Sequence, residues 1–205
     1  MKRLILALGI LAAFIPSAPA TGAPAGDYFP LNQGTVWVYR TTRGPDLMLR
    51  VSGTGQVGDV TCTLIESISN GMVTQRECFR REGDTVFAYV RAYPSGNVLL
   101  QPPQPMLRLP PSVGQAWLWE GKVGDGTARL QLQWARTEQV TVPAGTYAAA
   151  QLYLEGTVAA EQVQSWRWYA PGVGMVKEDS ILSAPGAEGR GIRIVAELRE
   201  FRPGR

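Results

Sequence analysis

Beyond its opening segment the chain shows no apolar repeat at helical spacing. Apolar and polar residues alternate with period two, and turn chemistry interrupts the alternation at short intervals. The interruptions include Arg43-Gly44-Pro45-Asp46, Asn70-Gly71, Gly83-Asp84, Pro94-Ser95-Gly96-Asn97, Gly124-Asp125-Gly126, Pro143-Ala144-Gly145 and Pro171-Gly172. Between them lie runs rich in Val, Thr, Trp, Tyr, Leu and Ile, such as 35–42, 85–93, 115–123 and 192–201. This predicts an all-β fold: a curved antiparallel sheet or incomplete barrel of about ten to twelve strands. The alanines of Ala148–Leu154 favour helix, but a short run after a Pro-Ala-Gly turn reads better as a strand.

The chain carries a faint internal repeat. Gly34-Thr35-Val36-Trp37-Val38-Tyr39 matches Gly114-Gln115-Ala116-Trp117-Leu118-Trp119, and each copy follows a proline-containing segment. Residues 102–111 hold five prolines in ten positions. Proline lacks the N–H that a central strand donates. The segment is therefore expected as an extended crossover between two similar half-sheets, about 27–101 and 107–201, in one β-rich domain spanning 21–205.

Residues 1–20 read as a secretory signal helix. Lys2 and Arg3 precede an unbroken apolar run from Leu4 to Ile15, and Ala18-Pro19-Ala20 is a small-x-small cleavage signal. The run is short for a membrane span, which needs about 20 apolar residues. No later stretch is long and apolar enough to form one. The expected address is periplasmic or secreted, with no transmembrane segment after cleavage.

Cys62 and Cys78 suit that oxidising address. If Ser69-Asn70-Gly71 forms a three-residue hairpin loop, Ile68 pairs with Met72 and paired numbers sum to 140. Cys62 and Cys78 share that sum. The expectation is a disulfide between directly opposed residues, with Glu66 opposite Thr74.

Composition excludes several chemistries. The chain has no histidine, so Ser-His-Asp and Cys-His catalysis and every histidine-ligated metal site are absent. The formal charge is +3, and two of the cations belong to the leader. Such a balance gives no bulk attraction to nucleic acid. Glycine pairs such as Gly53-x-Gly55 are not followed by helical segments that could hold phosphate. Glu178 and Asp179 are adjacent, so on a strand they point to opposite faces. Arg76, Arg80 and Arg81, interleaved with Glu77 and Glu82, read as a solvated strand face. No catalytic residue, metal site or cofactor is assigned.

Aromatic residues are the most distinctive feature. They recur two apart: Trp37 with Tyr39, Phe87 with Tyr89, Trp117 with Trp119, Trp166 with Trp168. On a strand that spacing puts both rings on one face. Large rings filling a curved sheet are one reading. The other is an aromatic-lined cavity formed by Trp37, Tyr39, Trp117, Trp119, Trp166 and Trp168 for an apolar or sugar-like ligand.

Three motifs carry a resemblance: Tyr28-Phe29-Pro30-Leu31 running into Gly34-x-x-Trp37-x-Tyr39, then Val142-Pro143-Ala144-Gly145-Thr146-Tyr147, then Trp168-Tyr169-Ala170-Pro171-Gly172-Val173-Gly174-Met175-Val176-Lys177. Together they resemble the TapB-like and related domain-of-unknown-function proteins, a group of exported bacterial proteins. The resemblance implies a β-rich envelope protein akin to the half-barrel lipoprotein carriers, with no catalytic residues to carry over. This chain lacks the carriers' clear plugging helix. The motifs also have structural readings, with Pro171-Gly172 suited to a type II turn. The expected function is a non-catalytic exported protein that binds an apolar, lipid-like ligand or an envelope partner protein on a concave aromatic face. A structural or interaction module without ligand, and an envelope carbohydrate hydrolase using a carboxylate pair, are the alternatives.

Overall fold

A computed structural model describes residues 26–184 and 191–205. The signal helix expected over residues 1–20 lies outside them. The described chain is built from twelve strands: β1 (Val36–Thr41), β2 (Leu47–Val57), β3 (Val60–Ser69), β4 (Met72–Glu82), β5 (Thr85–Tyr93), β6 (Gly96–Arg108), β7 (Ala116–Val123), β8 (Gly126–Val142), β9 (Gly145–Val158), β10 (Glu161–Ala170), β11 (Gly174–Ser183) and β12 (Ile192–Arg202). Each pairs antiparallel with its sequence neighbours, and β1 pairs with β12, so the sheet closes into a barrel. The all-β expectation holds, at the upper end of the strand count and with full closure. The Ala148–Leu154 run lies inside β9.

Twelve strands enclose more space than side chains readily fill, since about eight already give an interior just wide enough for them. The two sides of this lumen meet that excess differently. On the β6–β9 side, Trp117, Trp119, Trp134, Leu130, Leu132, Leu152 and Leu154 are all buried and pack it solid. On the side formed by β1–β5 and β10–β12 a cavity remains.

The proline-rich segment does not leave the sheet. Residues 102–108 form the second half of β6, paired with β5 at Phe87↔Pro105 and Val86↔Leu107. Proline tolerates this because β6 behaves there as a strand with one bare edge. Towards β7 it pairs only at Leu100↔Val123 and Gln101↔Lys122. Indole groups satisfy the bare carbonyls. Trp119 Nε1 donates to Pro102 O at 3.1 Å, Trp117 Nε1 to Pro105 O at 2.9 Å, and Trp134 Nε1 to Arg108 O at 2.7 Å.

The internal repeat has a local structural counterpart. Gly34 N donates to Val51 O and Gly114 N to Trp134 O, both at the entry to a strand. Val51 N returns a bond to Thr35 O, and Trp134 N returns one to Gln115 O.

The β3–β4 hairpin corrects the expected register. Asn70 and Gly71 both have positive φ, 51° and 73°, so the loop has two residues, not three. That turn matches strand twist, which is why Asn-Gly favours it. A bulge then shifts the register between Ser67 and Ile68, leaving Leu64 opposite Cys78 and Glu66 opposite Arg76. Cys62 sits diagonal to Cys78, and the disulfide still forms, with Cα atoms 5.6 Å apart.

The outer wall is laced with ion pairs. Arg50 and Arg76 flank Glu66 at 2.7 and 2.9 Å, Arg193 grips Asp179 through two bonds, and Arg129 pairs with Glu120. An outward face so charged is unlike the apolar band of a membrane-spanning barrel.

Candidate functional site

The cavity occupies about 530 Å³ of the lumen. Its floor is built by the motifs that stood out in the sequence. Phe29 of the opening motif packs edge-on against Phe79, with ring centroids 5.2 Å apart. Asp27 anchors this segment by accepting from Arg81 at 2.6 Å, and Asp27 O accepts from Gly172 N at 2.7 Å. Trp37 Nε1 and Tyr39 Oη donate to the carbonyls of Val173 and Met175. The connection Ala170–Val173 is closed by Val173 N donating to Ala170 O, with Gly172 at φ 73°. That is the geometry of a type II turn after Pro171. The Val-Pro-Ala-Gly turn docks at the same end, where Ala144 N donates to Leu198 O. All three motifs therefore seal one end of the barrel. The cavity reaches the opposite rim at Leu47, Tyr93, Leu182 and Ile194, which lie at or near strand ends.

A polar belt crosses the lumen between rim and floor. Residues directly opposed on neighbouring strands share a face. Ser165, Arg167 and Tyr169 oppose Leu154, Leu152 and Ala150, so they point inward. Arg167 Nε donates to Glu178 Oε1 at 2.9 Å, and the same oxygen accepts from Ser180 at 2.8 Å and Ser165 at 3.1 Å. Across the lumen Arg91 Nε donates to Glu77 Oε1 at 2.9 Å and Arg91 Nη2 to Gln104 Oε1 at 3.2 Å. The Arg167 and Glu178 side chains keep 21% and 25% of their exposure, which is exposure to the cavity they line.

The electrostatics of the belt follow from these contacts. Burial alone would raise the Glu178 carboxyl, but the Arg167 guanidinium and the Ser180 and Ser165 hydroxyls outweigh it and hold it below the ordinary carboxylate range. Burial also works against the Arg167 charge, but Glu178 outweighs it and the guanidinium pKa is raised. Burial pushes the Tyr169 phenol up to about 12, with Arg167 opposing and Glu178 adding to the rise. These three groups stay in one charge state across the physiological range, so the Arg167–Glu178 side of the belt is a fixed dipolar surface.

The structure separates the six aromatic residues singled out in the sequence. Trp37 and Tyr39 line the cavity. Trp117 and Trp119 point inward but are buried at the β6–β7 seam, with their N–H groups committed there. Trp166 and Trp168 alternate with the inward Arg167 and face outward. Trp166 packs on Tyr153 at 5.4 Å, while Trp168 donates to Glu138 and lies under Lys177. Arg91 and Arg167 escaped the sequence reading, which set Glu77 on a solvated strand face and took from Glu178 only that it faces away from Asp179. The structure turns Glu77 into the lumen, paired with Arg91. The signal that identifies Arg167 is its partner β9, whose Ala150-x-Leu152-x-Leu154 alternation marks the inward face.

A second concavity, about 660 Å³, lies on the outer wall and includes Leu118, Arg129, Gln131, Glu155, Gln164 and Arg193. Its charged side chains are already engaged, Arg129 with Glu120, Arg193 with Asp179, and Glu155 with the Tyr153 hydroxyl. No group of metal-ligating side chains occurs among the described residues. No helix there is long and apolar enough to cross a membrane.

No protein-family model matches the chain, and no curated protein does. Among solved structures it is similar to a "putative exported protein with YmcC-like fold" from Bacteroides fragilis, at 13% identity and TM-score 0.51, covering 87% of this chain and 100% of that one. A "putative lipoprotein" from Parabacteroides distasonis gives 14% identity and TM-score 0.49 over 87% of this chain and 100% of that chain. At 13% identity the likeness to the Bacteroides protein is one of fold alone.

Proposed function

We propose that this chain is an exported, non-catalytic binding protein that holds a small apolar or amphiphilic molecule in its barrel lumen. The observation that carries the reading is the cavity itself. Its volume of about 530 Å³ falls within the range of small-molecule sites, and its floor is sealed. Leu47, Leu49, Ile65, Met106 and Ile194 give it apolar walls, and the Arg–Glu belt supplies a few convergent polar groups. Export is supported by the leader-like sequence of residues 1–20 and by the resemblance of the three motifs to exported TapB-like proteins. The disulfide suits the same address.

Two observations favour binding over hydrolysis. Glu77 and Glu178 are the carboxylates of the cavity, and each is tied to an arginine. A glycosidase needs one carboxylic acid with a raised pKa to protonate the leaving group, whereas Glu178 is held ionised.

The test is native mass spectrometry of the protein purified without detergent from an oxidising periplasm, followed by titration with an uncharged environment-sensitive dye such as N-phenylnaphthylamine. The expected result is dye binding that Ile65→Trp, which fills the cavity, abolishes in a folded barrel. A clean apo mass together with no dye binding would overturn the proposal.

A further inference from the structure

We infer that the lumen selects amphiphiles with an uncharged, hydroxyl-bearing head over those with a charged head. This rests on the lumen-binding reading above and names the class of molecule bound. Four charged side chains line the cavity, Arg91, Arg167, Glu77 and Glu178. Their charges cancel, and each arginine bonds a glutamate at 2.9 Å. A carboxylate or phosphate head entering this belt would bring a net charge into an enclosed, poorly solvated space. The charge of either guanidinium it met is already balanced by a glutamate 2.9 Å away. Burying a charge without a partner is costly. A zwitterionic head would take two charges out of water into the same space, where the groups it meets are already neutralised by their own partners.

A neutral head with hydroxyl groups meets no such cost, because the belt offers both donors and acceptors. A guanidinium carries five N–H groups. The Arg91 bonds to described residues engage Nε and one N–H of Nη2. In their bonds to the belt residues both glutamates accept through Oε1. A carboxylate has about four lone-pair sites, so Oε2 of each retains capacity. Ser67 and Gln75 add neutral polar groups to the same lining. The apolar residues towards the rim, Leu47, Leu182 and Ile194, would hold the chain of such a molecule.

The experiment displaces bound N-phenylnaphthylamine with three amphiphiles of one acyl chain length: a monoacylglycerol, the free fatty acid, and a lysophosphatidylcholine. The monoacylglycerol is expected to compete about tenfold better than either of the others, a difference of about 1.4 kcal/mol. Glu77→Gln frees the Arg91 charge and is expected to shift the order towards the fatty acid, with circular dichroism confirming the fold. If Glu77→Gln does not fold, the wild-type order decides alone. A fatty acid or zwitterion that competes as well as the monoacylglycerol overturns the inference and leaves lumen binding standing. If wild type binds no dye and none of the three amphiphiles, lumen binding fails, and this inference with it.

Discussion

Trp37 and Val173 meet across 136 residues of sequence: the indole N–H donates to the Val173 carbonyl at 2.6 Å. This contact ties the opening strand to the β10–β11 turn and closes the barrel floor. Trp37→Phe keeps most of the ring but leaves that carbonyl without its donor. A loss of about 1–3 kcal/mol is expected. It should read as a lower urea midpoint at unchanged m-value.

The β6–β7 seam is the thinnest ladder in the ring, with two residue pairs against fourteen between β8 and β9. Local openings follow the weakest hydrogen bonding. Hydrogen exchange should therefore be faster in residues 116–123 than in residues 145–158. Trp117→Phe should accelerate it further by removing a donor to the β6 carbonyls. Equal protection of the two segments would contradict the seam.

Reduction of the Cys62–Cys78 bridge frees a loop with a sequence separation of 16. In the chain-entropy model a loop of that size is worth about 3 kcal/mol. Urea unfolding with and without reductant, and with Cys62→Ser plus Cys78→Ser, should show that loss. Thiol labelling of the unfolded, unreduced protein should find no free cysteine.

Acid should weaken the barrel through its paired carboxylates. Glu178 and Glu66 both have folded pKa values below the ordinary 4.5. Within the structure burial opposes the Glu178 shift and Arg167 drives it, whereas at Glu66 the Arg50 hydrogen bond is the largest cause. The unfolded chain therefore binds protons first as pH falls. The stabilisation is fully present above pH 4.5 and is lost as pH drops through the depressed folded values. Glu178→Gln should flatten that part of the stability profile between pH 5 and 3, measured by thermal unfolding in a pH series.

The strands were legible because their signals are local. In β8 the inward residues Ala128, Leu130, Leu132 and Trp134 alternate with polar neighbours, and the pattern needs no partner to be read. The turn at Pro171-Gly172 is equally local, since proline sets one φ and glycine permits the next. The cavity was much less legible. Trp166 and Trp168 do share a face, as their spacing requires, but spacing does not say which face. In β10 neither alternate set is uniformly apolar: Val163, Ser165, Arg167 and Tyr169 stand against Gln162, Gln164, Trp166 and Trp168. Hydrophobic pattern alone puts the tryptophans inside and the arginine outside. Pairing with β9 reverses that assignment.

Local chemistry thus accounts for the all-β character, the turns and the approximate number of strands, because period-two alternation and turn residues act over a few positions. The assignment of side chains to lumen or outer wall came from pairing between strands. A one-residue slip in register exchanges the two faces of a strand. The bulges that set register, at Ser67/Ile68, Cys78/Phe79 and Trp168/Tyr169, leave no distinct mark in the sequence. Closure of β1 on β12 then brings Trp37 onto the β10–β11 turn and Tyr39 onto the start of β11. The ring that results encloses the two Arg–Glu pairs in one cavity, and no stretch of chain short enough to read by eye contains them all.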